Sequence, residues 1–411
     1  MTDPHGIKVQ HPIVVLSGGW GYGNLGDDAI LVSAVKLIRE NLPQALIRII
    51  TCDEHGAAEL LQSDGNVTIH PSIHRELFSS DQVFYVDTKM TFKERVRHGL
   101  RFRKNHRNIR STLKRYLQSP EDYCSAIKET LRKVDAAMAD ADIYIQGGGG
   151  FINDWIESDI VKHIECLQAK HHGLRMLMMG QTIGSFSSKD TLRIGQSICG
   201  MMNGMFFRDS ASIADCGQKQ KALPETIPDL ALYEHIGSKC QDNSLLFIPF
   251  NPEVLKHLDF LTTNLKSISE ETKFHVVVTV TQLWQTAIDL ATACFLHFRQ
   301  AGINVEFSIP HNVATLQEMI ASSQLIISQN LHGLILGYRS ETRIISINTA
   351  RKFEGFMDKV GMRQYMLGLS HASGRELYDM AMELLARPAR PYQSSLADEI
   401  THAFNQIMSM P

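Results

Sequence analysis

The residues whose types and spacing could do chemistry fall in three places. Gly18-Gly19-Trp20-Gly21-Tyr22-Gly23-Asn24-Leu25-Gly26-Asp27-Asp28 follows an apolar run at 13–16 and leads into a helical pattern carrying Ile30, Leu31, Ala34, Val35 and Ile38. Gly147-Gly148-Gly149-Gly150 follows Ile143-Tyr144-Ile145, with Asn153 and Asp154 at the next helix start. Leu331-His332-Gly333 opens a helix after an apolar strand, and Arg351-Lys352-Phe353 follows another. Strand, glycine turn and helix N-terminus together present free backbone N–H groups to an anion. That organisation points to an enzyme with a phosphorylated substrate.

Each group has a structural reading beside the chemical one. Asp27 and Asp28 stand where carboxylates cap a helix and favour its dipole, or contact substrate, and the two roles are compatible. Four successive glycines sacrifice about 0.5–1 kcal/mol each where regular structure follows, so close approach of a ligand to Gly148 and Gly149 is expected. Asp154 reads as a cap or a hydroxyl contact. His332 is placed for acid–base work near neutral pH, or is a histidine satisfied at a helix terminus. Arg208, Arg351 and Lys352 each follow a strand, and together could surround an anion from both halves of the chain. His311 is a further strand-end candidate of lower rank. Gly21 to Gly26 matches the bare dinucleotide pattern Gly-x-Gly-x-x-Gly, but Asp27-Asp28 sets carboxylates where a pyrophosphate should meet bare N–H groups. Neither a P-loop nor His-Glu-x-x-His occurs, and Ser17-Gly18-Gly19 is no nucleophile elbow.

The elements that must position these residues alternate in βα style. In the first half, strands are expected at 13–16, 46–51, 67–70, 142–146, 176–179 and 205–208. Helices are expected at 28–41, 54–61, 121–140, 157–172 and 192–201. A polar stretch at 218–243 marks the junction. Strands at 245–249, 274–281, 304–309, 325–328 and 343–347 then alternate with helices at 284–300, 314–321, 332–338, 353–360 and 374–385. Apolar strands without strict alternation, separated by amphipathic helices, predict mostly parallel sheets covered on both faces. The expected class is α/β, with Rossmann-like domains at 10–235 and 241–385 facing a cleft. Residues 386–411 form a tail, helical from 396 to 408, expected to pack back on the first domain. This organisation resembles the GT-B fold of two-domain sugar-nucleotide glycosyltransferases, with ligands beyond the carboxyl ends of the strands.

At 411 residues, two domains are the default. The balance of 41 basic and 44 acidic residues gives −3 and no case for nucleic acid. Seven scattered cysteines without Cys-x-x-Cys fit a reduced compartment and exclude the spacings of structural zinc. The N-terminus lacks an apolar signal core and no stretch is long enough to span a bilayer, so a cytoplasmic location is expected. Charge is uneven, however. Residues 89–115 hold eleven Lys or Arg against one acid, Glu94. This basic insertion, at about 89–118, reads as a docking surface for anionic lipid headgroups or a phosphorylated carrier, or as a solvated insertion.

Taken as an ordered set, these motifs resemble the polysaccharide pyruvyl transferase family. Gly21-Tyr22-Gly23-Asn24-Leu25-Gly26-Asp27-Asp28-Ala29-Ile30 is close to the family's N-terminal Gly-x-Gly-Asn-x-Gly-Asp-Glu-Ala-Ile. Gly147–Gly150 with Asp154, Arg208-Asp209-x-x-Ser212 with Pro228-Asp229, and Leu331-His332-Gly333 through Asn348 and Lys352 match its later segments. The similarity covers roughly 12–365. It implies transfer of the pyruvyl group of phosphoenolpyruvate to sugar hydroxyls, with ketal formation and phosphate release. It implies no dinucleotide or required metal, and a glycan or lipid-linked oligosaccharide as acceptor. His332, Asp27 and Arg208 are then the catalytic candidates. Asn24, Gly26, Gly148, Gly149, Asp154, Asn330, Arg351 and Lys352 are the substrate-binding ones.

One departure matters. The family's Arg-Leu-His reads Asn330-Leu331-His332 here, and an amide does not replace a bidentate guanidinium. Arg351, Arg208 or Arg339 is left to cover that charge. Two other readings stay open: a nucleotide-sugar glycosyltransferase on the same scaffold, and a non-catalytic assembly subunit of a glycan pathway. With a lipid-linked acceptor, the expected location extends to the cytoplasmic face of the membrane, reached through residues 89–115.

Overall fold

The computed structural model describes residues 11–61, 64–78, 111–217, 222–237, 239 and 242–409. Most of the basic segment, residues 89–110, lies outside them. Its described end, 111–118, is helical, with Leu113 and Tyr116 buried. No helix among the described residues is long and apolar enough to cross a membrane.

The first half builds one parallel sheet from β1 (Ile13–Ser17), β2 (Leu46–Thr51), β3 (Val67–Pro71), β4 (Ile143–Gln146), β5 (Gly149–Ile152), β6 (Arg175–Ile183), β7 (Gly204–Phe207) and β8 (Glu225–Thr226). Its order is β3-β2-β1-β4-β6-β7-β8, with β5 paired to β6 beyond the end of β4. The second half builds a parallel five-stranded sheet, β11-β10-β9-β12-β13. These strands are β9 (Ser244–Ile248), β10 (His275–Val278), β11 (Val305–Phe307), β12 (Leu325–Ser328) and β13 (Arg343–Ser346). Val14, Val15 and Leu16 are all fully buried because helices cover both faces. Val14 and Leu16 join a core that runs on into the second sheet, while Val15 faces a separate core.

This topology positions the chemistry. In the first sheet the order reverses between β1 and β4, which pair through Ser17 and Gln146. Both glycine turns leave from the carboxyl ends of these two strands. In the second sheet the reversal lies between β9 and β12, and His332 follows β12 directly. Such reversals open the crevice in which parallel sheets hold ligands.

Three differences from expectation have local causes. The stretch 121–140 is two helices, Pro120–Ala126 and Lys128–Met138. Strand β6 is longer than 176–179 because Gly180, at φ 70°, carries the chain through a register shift. The helix Leu258–Thr272 was not expected at all. Its buried Leu261, Leu265 and Ile268 sit among serines and threonines that obscure the stripe.

The chain's last helix, Ser395–Ser409, buries Leu396, Ile400, Ala403 and Phe404. Arg175 donates to the Met408 carbonyl at 3.1 Å and Gln406 to Glu225 at 3.2 Å, both in the first half. Lys359, in the second half, meets Glu399 at 2.6 Å. The last helix therefore ties both halves together.

Candidate functional site

The two glycine turns lie side by side, and their glycines have separate reasons. A Cβ at Gly18 or Gly147 would come within 2.2 or 2.6 Å of the Trp20 ring. That indole is buried and donates to the Ile50 carbonyl at 3.0 Å. A Cβ at Gly148 would stand 2.9 Å from the Gly180 carbonyl oxygen. Internal packing accounts for the missing side chains at Gly147 and Gly148. Gly149 and Gly150 also border charged groups. A Cβ at Gly149, φ 125°, would stand 2.9 Å from the Phe151 ring and 3.5 Å from Asp27 Oδ1, and one at Gly19 2.8 Å from the same ring and 3.3 Å from Oδ2. At Gly150 it would stand 3.2 Å from Arg208 Nη2. Gly19, Gly149 and Gly150 therefore form a floor beneath one carboxylate and one guanidinium.

Two helix N-termini, one from each domain, meet over this floor. Asn24 caps Leu25–Asn41, its Oδ1 accepting from the Gly26 N–H at 3.2 Å while its Nδ2 donates to Asp27 Oδ2 at 2.7 Å. Asn330 caps Leu331–Arg339, accepting from the N–H groups of His332 at 2.9 Å and Gly333 at 3.3 Å. The helices are brought together by loop pairing. Leu25 N–H donates to the Thr281 carbonyl at 2.9 Å and Leu283 N–H to that of Gly23 at 2.7 Å. The His332 ring then lies on Gly26, where an added Cβ would stand 2.0 Å from Nδ1. Gly26, a substrate-binding candidate, makes room for the histidine. Asn24 and Asn330 spend their carbonyl oxygens as caps.

Charges from both domains converge at this junction. His332 is buried, and its Nε2 has no hydrogen-bond partner among the described residues. Burial pushes its pKa down to about 4, with Asp229 opposing and the Arg208 and Lys352 charges adding to the drop. Asp27 is half-buried; desolvation raises it to about 7 against the Arg208 charge, with Asp28 and Asp229 raising it further. Asp28 rises to about 6, chiefly by burial, while accepting from the Gly21 N–H at 3.3 Å. Lys352 reaches solvent at the cleft edge, 5.6 Å over the Phe353 ring. Partial desolvation and then Arg208 lower its pKa, and Asp27 raises it. Arg208 pairs with Asp229 at 2.6 Å.

Other candidates stand apart from this group. Asp154 accepts from Ser187 N–H and Oγ, Ser188 N–H and Thr191 Oγ1, so both its oxygens serve the loop at 187–191. Arg351 is exposed and its charge is felt by Asp215 of the first domain. His311 is exposed and meets Thr315 at 3.2 Å. Arg339 is fully buried and donates to the Ala231 carbonyl at 2.7 Å, so it does not cover the charge missing at Asn330. Asp229 is not among the candidates that the sequence offers. Its one signal there is Pro228-Asp229, and its carboxylate pairs with Arg208 while its charge acts on His332 and Asp27.

Comparison with known proteins follows from this geometry. Among solved structures the chain is similar to UDP-GlcNAc 2-epimerase from Methanocaldococcus jannaschii, at 9% identity and TM-score 0.56, covering 96% of this chain and 99% of that one. It is similar to α,α-trehalose 6-phosphate synthase from Burkholderia multivorans at 10% identity and TM-score 0.50, covering 97% and 96%. At such identity the likeness is one of fold: two Rossmann-like domains in the GT-B arrangement. No curated protein sequence matches the chain significantly. A family model described as polysaccharide pyruvyl transferase matches residues 24–351, a span that takes in Asn24, Asp27, Arg208, Asp229 and His332. The chain belongs to the polysaccharide pyruvyl transferase family.

Proposed function

We propose that this protein transfers the pyruvyl group of phosphoenolpyruvate to paired hydroxyls of a glycan, in the synthesis of a surface or extracellular polysaccharide. The donor is a substrate, and no metal or organic cofactor is required. The observation that carries this reading is the convergence of Arg208, Lys352, Asp27 and a His332 Nε2 without a partner among the described residues, at two abutting helix N-termini. Phosphoenolpyruvate brings a phosphate and a carboxylate, which cations and helix N–H groups bind. Lys352 and the free Nη2 edge of Arg208 take these anionic groups, with Arg351 at the rim.

In the first half-reaction C3 of the enol takes up a proton and C2 becomes electrophilic. A sugar hydroxyl adds to C2 and gives its proton to a base. A neighbouring hydroxyl then displaces phosphate from C2, and its proton leaves with the phosphate. Asp27, poised at about 7, suits the base role. His332 is neutral in the free site; a bound polyanion would raise its pKa and let it carry the proton to C3 or steady the leaving phosphate.

The acceptor is taken to be a lipid-linked oligosaccharide, presented at the cytoplasmic face of a membrane that residues 89–115 contact through their positive charge. Incubation with phosphoenolpyruvate and a panel of lipid-linked and nitrophenyl glycosides tests the donor assignment by phosphate release. Nucleotide sugars run in parallel. Release of nucleoside diphosphate, with none of phosphate from phosphoenolpyruvate, would overturn it.

A further inference from the structure

The Arg208 guanidinium is fastened on two sides. Its Nε donates to Thr182 Oγ1 at 2.7 Å and its Nη1 to Asp229 Oδ2 at 2.6 Å. Thr182 donates in turn to Asp209 Oδ2 at 2.7 Å, and Asp209 Oδ1 accepts from the Ser212 N–H and hydroxyl. The second oxygen of Asp229 accepts the Ala231 N–H at 2.9 Å. Among the described residues only Nη2 is left without a partner, beside Gly150 on the cleft floor.

The pair is buried, with side-chain exposures of 8% for Arg208 and 4% for Asp229. Buried ion pairs contribute little net stability, so stability alone does not explain one here. An arginine neutralised by a buried carboxylate is also a poor ground-state trap for a polyanion. The charged and titratable groups that interact with Asp229 are Arg208, His332, Asp27 and Arg339. Asp229 thus holds the guanidinium assigned to the donor, and its charge acts on the histidine as well.

We propose that Asp229 is a positioning residue. It aims the Nη2 edge of Arg208 at the donor while offsetting part of its charge. Binding energy withheld from the ground state remains available in the transition state, where phosphate departs. The role in donor binding rests on the phosphoenolpyruvate reading, whereas the fastening of Arg208 and the reach of the Asp229 charge are properties of the free protein.

Asp229→Asn is nearly isosteric and keeps an acceptor for the Ala231 N–H. It should lower KM for phosphoenolpyruvate by about threefold or more, because a repelling charge is gone. It should also lower kcat by about 100-fold, because Arg208 is no longer aimed. On the substrate-free protein, NMR titration of His332 should move to lower pH. Thr182→Val loosens Arg208 without changing charge, so it should lower kcat without lowering KM and leave the His332 titration in place. Asp229→Glu, which keeps the carboxylate, should restore that titration, and with Thr182→Val it serves if Asp229→Asn does not fold. A raised KM in Asp229→Asn overturns the charge-offset role, and an unmoved His332 titration shows that the Asp229 charge does not reach the site and overturns it too. A parent protein that releases no phosphate from phosphoenolpyruvate defeats the donor reading, and the titration still decides whether the Asp229 charge acts in the site.

Discussion

The imidazole of His332 rests on the α-carbon of Gly26, so close that a methyl group there would stand 2.0 Å from Nδ1 and 2.5 Å from Cβ. The two residues come from different domains, and each lies in the first turn of its own helix. The missing side chain on one domain thus sets the position of the histidine on the other. Contact of this kind makes the site a property of the closed pair of domains.

Gly26→Ala tests that relationship. In an isolated helix the change would be favourable by about 1 kcal/mol. Here the methyl is borne by backbone and cannot turn aside, so overpacking should destabilise by about 1–3 kcal/mol. Turnover should fall at least tenfold as His332 is displaced. Adding His332→Ala should recover much of the lost Tm, a coupling that a double-mutant cycle by thermal denaturation measures. Strict additivity of the two changes would disprove the contact.

Much of this arrangement was legible in the sequence, and the rest had physical reasons to be hidden. Strand-end placement pointed to Arg208, His332 and Lys352, because parallel sheets expose those ends in a common crevice. Glycine content alone, by contrast, did not distinguish Gly148, which faces a carbonyl, from Gly150, which faces Arg208. Packing partners distant in sequence decide that, and Trp20 and Gly180 are such partners. Asp229 was obscure for a similar reason. Its importance lies in a pairing with Arg208 across 21 positions, which no local pattern reports.

Asp27→Asn should separate stability from activity. The folded-state pKa of Asp27 is raised from 3.8 to about 7, so the folded protein holds this proton more tightly than the unfolded chain. Its contribution is therefore most favourable below pH 4 and is lost as pH rises towards 7. An asparagine removes that dependence. Urea denaturation should show Asp27→Asn gaining on the parent between pH 4 and 7 and holding a constant margin above, with turnover reduced by about 10²–10⁴ if Asp27 is the base. A variant that retains full turnover would remove Asp27 from the chemistry.

The basic segment yields a prediction of a different kind. Neutralising Lys104, Arg107, Arg110 and Lys114 together should weaken binding to anionic vesicles and raise KM for a lipid-linked acceptor. Activity on a short soluble glycoside should hardly change. Added salt should mimic the substitutions, since exposed charges are screened within about 8–10 Å at physiological ionic strength. Undiminished vesicle binding by the quadruple variant would mark the segment as a solvated insertion and leave the transferase reading intact.

Asn330 offers the sharpest test of what this chain has done with the position where its family carries arginine. Its Oδ1 accepts from two first-turn N–H groups, those of His332 and Gly333. Asn330→Ala removes that acceptor and should lower stability by about 0.5–2 kcal/mol. Asn330→Asp keeps the cap and adds a charge that the helix dipole favours, so its Tm should match or exceed the parent's. The same carboxylate beside His332 should raise the histidine's pKa and repel the donor, giving a higher KM for phosphoenolpyruvate. Asn330→Arg reverses the balance, since the cap is lost while a cation is gained at the helix start that carries His332. Its Tm should fall and its KM for phosphoenolpyruvate should fall as well. Stability and donor affinity should therefore rank the three variants in opposite orders at their extremes, aspartate against arginine. If Asn330→Arg proves as stable as the parent and binds the donor no more tightly, Asn330 neither caps this helix nor borders the anion site.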